Sequence, residues 1–250
     1  MSINLFDSPY RASAKRNMSR GPDMTVEWLA CRQLLLQERN GKAFNLPLFG
    51  EVSKEDIQQA KQRFSIAGVD EAGRGPLAGP VVTAAVVLNK KYIPKSLDDS
   101  KKLSTIQREA LFEVLIEKHH ISIAWATPSR IDNMNIRAAT LWAMRQAVRG
   151  LPFKPDGILI DGRDIPNGLT SPAGAVIKGD GLSKSIAAAS IVAKVVRDRM
   201  MQICEQDVPG YGLGTHMGYG TEMHRQAIVE KGGTRHHRKS FRPLKDLSTH

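Results

Sequence analysis

From Ile66 onward the chain alternates short apolar runs with stretches whose apolar residues recur every three or four positions. The runs Ser65–Val69, Val81–Leu88, Ile121–Ala126, Ile158–Ile160 and Ala175–Ile177 have strand length and are bounded by polar or turn-forming residues. Between them lie helical patterns. One follows Ser104, where Ser104 and Gln107 form a capping box in which each side chain satisfies the other residue's free backbone N–H. A second spans Ile136–Arg149 and stops before Gly150, the residue type best suited to a left-handed cap. The third carries Ile186, Ala189, Ala193, Val196, Met200 and Ile203 on a single apolar stripe, as expected of a helix packed on a sheet. Strands alternating with helices predict an α/β layer architecture. Residues 1–60 differ, because Pro9, Gly21, Pro22, Gly41, Pro47 and Gly50 interrupt every apolar pattern except Val26–Leu36. The chain therefore divides into an N-terminal extension, 1–60, partly disordered with one short helix, and a folded domain, 61–250.

Composition adds limits to this picture. At 250 residues, with 41% hydrophobic and 24% charged positions, the chain is an ordinary globular one, which sets aside disorder, collagen and coiled coil. The longest apolar run, Val81–Leu88, is far short of the roughly 20 residues of a membrane helix. The first thirty residues contain no uninterrupted apolar segment of the secretory kind. A cytoplasmic protein that touches no membrane is the expectation. Cys31 and Cys204 are too few for a disulfide framework or a cysteine-based zinc site.

Charge adds functional content. The net charge is +11. Residues 1–60 hold 8 basic and 7 acidic side chains, so 61–250 hold 28 against 18 and carry nearly all of the excess. A concentrated positive field attracts polyanions, of which nucleic acid is the commonest in a cytoplasm; the alternative is charge that serves solubility alone. The C-terminal run Lys231, Arg235, Arg238, Lys239, Arg242 and Lys245 is a candidate for phosphate contact.

Candidate chemistry stands where strand patterns end. Asp70 and Glu71 follow Ile66–Val69, Asp161 follows Ile158–Ile160, and Asp180 follows Val176-Ile177-Lys178-Gly179. Carboxylates are costly to bury unpaired, and functional groups in open α/β sheets gather beyond the carboxyl ends of strands. Each Asp taken singly also reads as an N-cap or turn residue. Neighbouring strand residues point to opposite faces, so Asp70 and Glu71 share a site only if the backbone turns there, which Gly73 and Gly75 permit. His119-His120 reads as a helix C-terminus rather than a metal site, and Gly210, Gly212 and Gly214 around Tyr211 read as a flexible connection.

The segment Ala67-Gly68-Val69-Asp70-Glu71-Ala72-Gly73-Arg74-Gly75-Pro76-Leu77-Ala78-Gly79-Pro80-Val81-Val82 resembles the signature of bacterial ribonuclease HII. Similar family segments follow in order: Asp99-Ser100-Lys101-Lys102-Leu103-Ser104, Ile131-Asp132 with Asn135-Ile136, Ala139-Thr140-Leu141, Leu159-Ile160-Asp161-Gly162 and Lys178-Gly179-Asp180. Ala187-Ala188-Ala189-Ser190-Ile191, Gly218-Tyr219-Gly220-Thr221 and His236-His237-Arg238 with Ser240-Phe241 complete the series, which covers roughly residues 64–245. The resemblance implies a ribonuclease H-like fold, a mixed central sheet flanked by helices with a C-terminal helical portion. It places the family's metal-binding carboxylates on Asp70, Glu71, Asp161 and Asp180, its ribonucleotide-recognising loop on Gly73, Arg74 and Gly75, and its recognition tyrosine on Tyr219. Met217 departs from the pattern, which often has Lys there, and Arg74 argues against the related ribonuclease HIII family.

The implied activity is endonucleolytic hydrolysis of RNA in RNA/DNA hybrids, with incision of duplex DNA at single embedded ribonucleotides, by a monomer. An all-oxygen ligand set suits Mg²⁺ or Mn²⁺. Two such ions about 3.5–4 Å apart activate water and stabilise the leaving oxygen, giving 3′-hydroxyl and 5′-phosphate ends. Lys101 and Lys102 read either as contacts to the substrate backbone or as solvated side chains, and the resemblance favours contact. Two rivals stand beside this reading: a hybrid ribonuclease without preference for single ribonucleotides, and a non-catalytic nucleic-acid-binding protein with a structural acidic cluster.

Overall fold

The computed structural model describes residues 22–40, 54–98, 100 and 102–247. Five strands, β1 (Ile66–Ala72), β2 (Val81–Val87), β3 (His120–Ala126), β4 (Gly157–Asp161) and β5 (Ala173–Val176), form one sheet in the order β3-β2-β1-β4-β5. The β1–β2 and β2–β3 pairs are antiparallel, whereas β1–β4 and β4–β5 are parallel. The sheet is therefore mixed, and all five apolar runs read from the sequence are its strands. Parallel neighbours need a crossover. Helix α3 (Thr105–Lys118) lies between β2 and β3, and two helices, α4 (Pro128–Met134) and α5 (Ile136–Arg149), supply most of the path from β3 to β4.

The helix α6 (Lys184–Asp207) crosses one face of the sheet. Gly68 permits the contact, since a Cβ there would lie 2.1 Å from the Ser185 carbonyl carbon. With α3 it buries Ala84, Val86, Leu115, Ile191 and Val192. On the opposite face α5 packs Met144 and Ala147 against Ala67, Val69, Ile158 and Ile160. The capping box on α3 is present as expected, with Ser104 Oγ accepting from Gln107 N and Gln107 Oε1 accepting from Ser104 N.

Three expectations are corrected. Gly150 ends α5 in the right-handed region (φ −81°) rather than as a left-handed cap; a Cβ at that position would come within 2.3 Å of Ser122 Oγ on β3, a hydroxyl that would have to rotate away. The single stripe on α6 holds only in part. Between Ser185 and Ala193 every residue is buried, because the sheet, α3 and the N-terminal helix enclose that half, whereas Ile203 is 64% exposed where the helix runs past the sheet. The glycines around Tyr211 form a packed turn: Tyr211 is buried and its hydroxyl donates to Gly232 O (2.9 Å), while Glu205 accepts from the N–H groups of Gly210 and Leu213.

Part of the stretch read as an extension is also packed into the domain. Helix α1 (Thr25–Asn40) buries Val26, Ala30, Cys31 and Leu34 against Phe64, Leu159, Val176 and Ile186, and α2 (Lys54–Arg63) adds Ala60 to the same cluster. Glu27, buried, accepts from Ser183 Oγ (2.5 Å), Ser185 Oγ (2.7 Å) and Ser185 N (2.8 Å), which ties α1 to the start of α6. Burial pushes the Glu27 carboxyl above its ordinary value.

Past α6, the short α7 (Leu213–His216), α8 (Glu222–Lys231) and α9 (Leu244–Leu247) gather Leu213, Ile228 and Leu244 on Leu77, Ala78 and Met201. This C-terminal helical portion thus packs on the loop that joins β1 to β2.

Candidate active site

Two adjacent parallel strands, β1 and β4, end side by side. Their register pairs Val69 with Ile160, which sets Asp70 and Asp161 next to one another at the edge of the paired region. Asp70 is buried and its Oδ1 accepts from Glu71 N at 2.7 Å. Burial, with the charges of Asp161 and Glu71 added to it, holds the Asp70 carboxyl well above its ordinary range, and the Ser190 hydroxyl opposes that rise. Asp161 Oδ1 accepts from Gly179 N at 2.6 Å, which fastens a short 3₁₀ turn, Gly179–Gly181, to the end of β4. Asp180, in that turn, is buried, and its Oδ1 accepts from Gly181 N at 2.9 Å.

The backbone does not turn between Asp70 and Glu71. Strand β1 continues through both, in register with Ala84 and Thr83, and the turn comes at Gly73 (φ +93°). Gly68, Asp70 and Ala72 therefore face α6, and Ala67, Val69 and Glu71 face α5. Glu71 meets Asp161 in a small cleft with Arg74, Arg137, Arg163 and Asp164, and it borders a second cleft beyond the strand end with Gly73, Ser100, Ser190, Arg197 and Tyr219. The acidic residues read from sequence thus converge on one end of the sheet but from both of its faces. Accordingly, among the described residues no three His, Cys, Asp or Glu side chains already surround one point as a ligand group. The donor chemistry fits a hard divalent ion nonetheless. Every candidate ligand is a carboxylate oxygen, and the like charges crowding Asp70 are what a bound cation relieves.

The proposed recognition elements also meet. A Cβ on Gly75 would touch the Tyr219 ring at 3.9 Å, and Tyr219 is half exposed beside the second cleft. Its N–H donates to His216 O, and its carbonyl accepts from Thr221 N. Arg74 is half exposed and donates to Glu71 Oε1 at 3.3 Å. Lys102 pairs with Asp98 at 3.1 Å and lies in neither cleft, while Lys101 falls outside the described residues.

The C-terminal basic run does not act as one surface. Arg238 is fully buried, Arg235 pairs with Asp207, and Lys231 donates to Gly210 O at 2.9 Å. His237 is buried against His224, with 3.1 Å between their Nε2 atoms, and burial pushes its pKa down to about 4. Sequence reading passed over Ser100, Lys194 and Arg197 in the second cleft and Arg137, Arg163 and Asp164 in the first. Of these, Ser100 alone stood inside a quoted segment, as did Ser190, whose hydroxyl oxygen lies 2.9 Å from that of Ser100. The Arg137–Asp164 pair (2.9 and 2.7 Å) joins residues 27 positions apart and leaves no local signal.

Comparison with known proteins agrees with this geometry. The family described as Ribonuclease HII matches residues 67–244. The Ribonuclease HII of Azorhizobium caulinodans is 56% identical over 180 residues, 72% of this chain and 69% of that protein. That of Brucella ovis is 52% identical over 204 residues, 81% and 93% respectively. Among solved structures, the ribonuclease H2 of Pyrococcus horikoshii OT3 aligns with a TM-score of 0.61 at 28% identity, over 74% of this chain and 97% of that one. Bst-RNase HIII, solved in complex with Mn²⁺, aligns at 0.62 with 17% identity, over 86% and 79%, and shares the fold. With a match that runs from β1 through Tyr219 to the last helix, and with relatives above half identity across it, the chain belongs to the ribonuclease HII family.

Proposed function

We propose that the chain, a ribonuclease H enzyme, hydrolyses the RNA strand of RNA/DNA hybrids and incises duplex DNA at single embedded ribonucleotides. The observation that carries this reading is the meeting of two sets of groups at one end of the sheet. Acidic residues crowd the ends of β1 and β4, and Glu71 borders the cleft in which the Gly73 turn faces Tyr219. Asp70, Glu71, Asp161 and Asp180 would hold Mg²⁺ or Mn²⁺. Two such ions would supply an activated water and a stabilised leaving oxygen, which would leave 3′-hydroxyl and 5′-phosphate ends.

The chain's own residues do the selecting. The Gly73 turn brings main chain to the cleft without a side chain in the way, and a site built around a 2′-hydroxyl penalises deoxyribose through its own unpaired polar groups. Tyr219 offers a ring to the neighbouring sugar and a hydroxyl near the 2′-oxygen. Arg74, Arg137 and Arg163 put positive charge beside the carboxylates, where the sugar-phosphate chain approaches. Among the described residues no helix is long and apolar enough to cross a membrane; we assign the enzyme to the cytoplasm, working as a monomer.

The experiment offers the purified chain three end-labelled duplexes: all DNA, DNA with one ribonucleotide, and DNA with a run of ribonucleotides, each with Mg²⁺, with Mn²⁺ and with chelator. Cleavage of the second and third alone, and only with metal, is the expected result. Cleavage of the run but not of the single ribonucleotide would reduce the enzyme to a general hybrid ribonuclease, and binding without cleavage would leave a nucleic-acid-binding protein.

A further inference from the structure

Two arginines that the catalytic reading does not use are the largest fully buried side chains among the described residues, Arg197 on α6 and Arg238 in the segment before α9. Each hydrogen bond they make ends on a main-chain carbonyl. Arg238 donates through Nε to Gly79 O (3.0 Å), through Nη1 to Arg74 O (2.8 Å) and through Nη2 to Gly73 O (2.5 Å). Arg197 donates through Nε to Pro80 O (3.1 Å) and through Nη2 to Ala78 O (3.3 Å) and Met217 O (3.0 Å). Five of the eight carbonyls from Gly73 to Pro80 are thereby held, together with one two residues before Tyr219.

Such an arrangement is expensive in stability. No carboxylate accepts from either guanidinium, and desolvation lowers both pKa values, that of Arg238 to about 9. A buried charge without a partner ion costs stability. What the two groups do supply is geometry, because a planar fork of donors fixes several carbonyls at once. Gly73 fits the same design, since its Cβ would sit 1.9 Å from Arg197 Nε. Main-chain bonds from Leu77 N to Gly218 O (2.8 Å) and from Gly79 N to His236 O (2.7 Å) join the same segments.

We propose that Arg197 and Arg238 are positioning residues, which clamp the main chain of the Gly73–Gly75 loop at a fixed distance from Tyr219 and so set the discrimination between ribose and deoxyribose. The inference rests on the recognition role given above to that loop and to Tyr219. A single embedded ribonucleotide presents one 2′-hydroxyl in one register, whereas a run presents several. A loosened loop therefore loses more on the first substrate than on the second.

The test compares full-length wild type, Arg238→Lys, Arg197→Lys and Tyr219→Ala in Mg²⁺ on the single-ribonucleotide and run duplexes. Amide hydrogen exchange over residues 73–80 gives a readout that does not depend on cleavage. Lysine keeps the charge but not the fork. The expected result for each lysine variant, folded by circular dichroism, is faster exchange in 73–80 and a ratio of kcat/KM (single over run) reduced about tenfold, the loss of a good hydrogen bond or two. A folded variant with unchanged exchange and ratio overturns the proposal. So does a parallel loss on both duplexes that tracks melting temperature, or failure of both lysine variants to fold, since either makes the arginines stability residues. If Tyr219→Ala leaves the ratio untouched, the recognition reading itself has failed and the clamp loses its role with it, even where exchange shows the loop released.

Discussion

Truncation measures where the folded unit begins. Helix α1 belongs to the stretch read from sequence as an extension, yet it covers one face of the sheet beside α6. We propose that the unit starts near residue 22. Removing residues 1–60 deletes Val26, Ala30, Cys31, Leu34 and Ala60 from a buried cluster and uncovers part of Phe64, Leu159, Val176 and Ile186. At roughly 1.5–3 kcal/mol for each large buried side chain, a net loss equivalent to one or two of them, about 3 kcal/mol, lowers the melting temperature of a domain this size by roughly 6–12 °C. Chains beginning at residues 22 and 61 are compared with the full chain by thermal circular dichroism and by cleavage well below the melting point. The chain from 22 should melt with the parent. The chain from 61 should melt lower yet still cleave, because β1, β4 and α6 hold the carboxylates. Equal melting temperatures for all three would refute the reasoning and restore residue 61 as the boundary.

Four further outcomes follow from the site. Asp70→Asn and Asp161→Asn should each abolish cleavage with duplex affinity retained, and Asp70→Asn should raise the melting temperature without metal because it removes one of the crowded charges; near-native turnover by either variant would take that residue out of the site. Tyr219→Ala should sharply lower incision at a single ribonucleotide while the melting temperature changes little, since the side chain is half exposed; a large fall in melting temperature would make Tyr219 a packing residue. Gly73→Ala meets both a positive φ and the Arg197 side chain, so a loss of about 2–4 kcal/mol in urea unfolding is expected, and an unchanged midpoint would count against the tight approach. His237, whose folded pKa is depressed to about 4, stabilises in its neutral form; that contribution is complete above the unfolded value near 6.5 and is lost as pH falls toward 4. The fall in melting temperature across that window should flatten in His237→Gln, and an unaltered slope would assign the acid sensitivity elsewhere.

The strands, the capping box of α3 and the extent of α5 were legible in the sequence because each depends on residues within a few positions of one another. The acidic residues at the ends of β1 and β4 were legible for the same reason, as they interrupt apolar runs. Which face each one serves was not: Asp70 and Glu71 part to opposite sides because β1 keeps its pairing with β2 as far as Ala72. Gly150 does cap α5, but in the right-handed region and packed beside Ser122, a residue on another element. By sequence Arg238 groups with its basic neighbours as a phosphate contact, and nothing local separates it from Lys239. Only the folding of the C-terminal helices over the Gly73–Pro80 loop encloses its guanidinium among main-chain carbonyls. The sequence by itself determined the elements and the chemical types at their ends, through short-range pattern and propensity. The tertiary structure decided burial, and burial converts a charged surface residue into a positioning one.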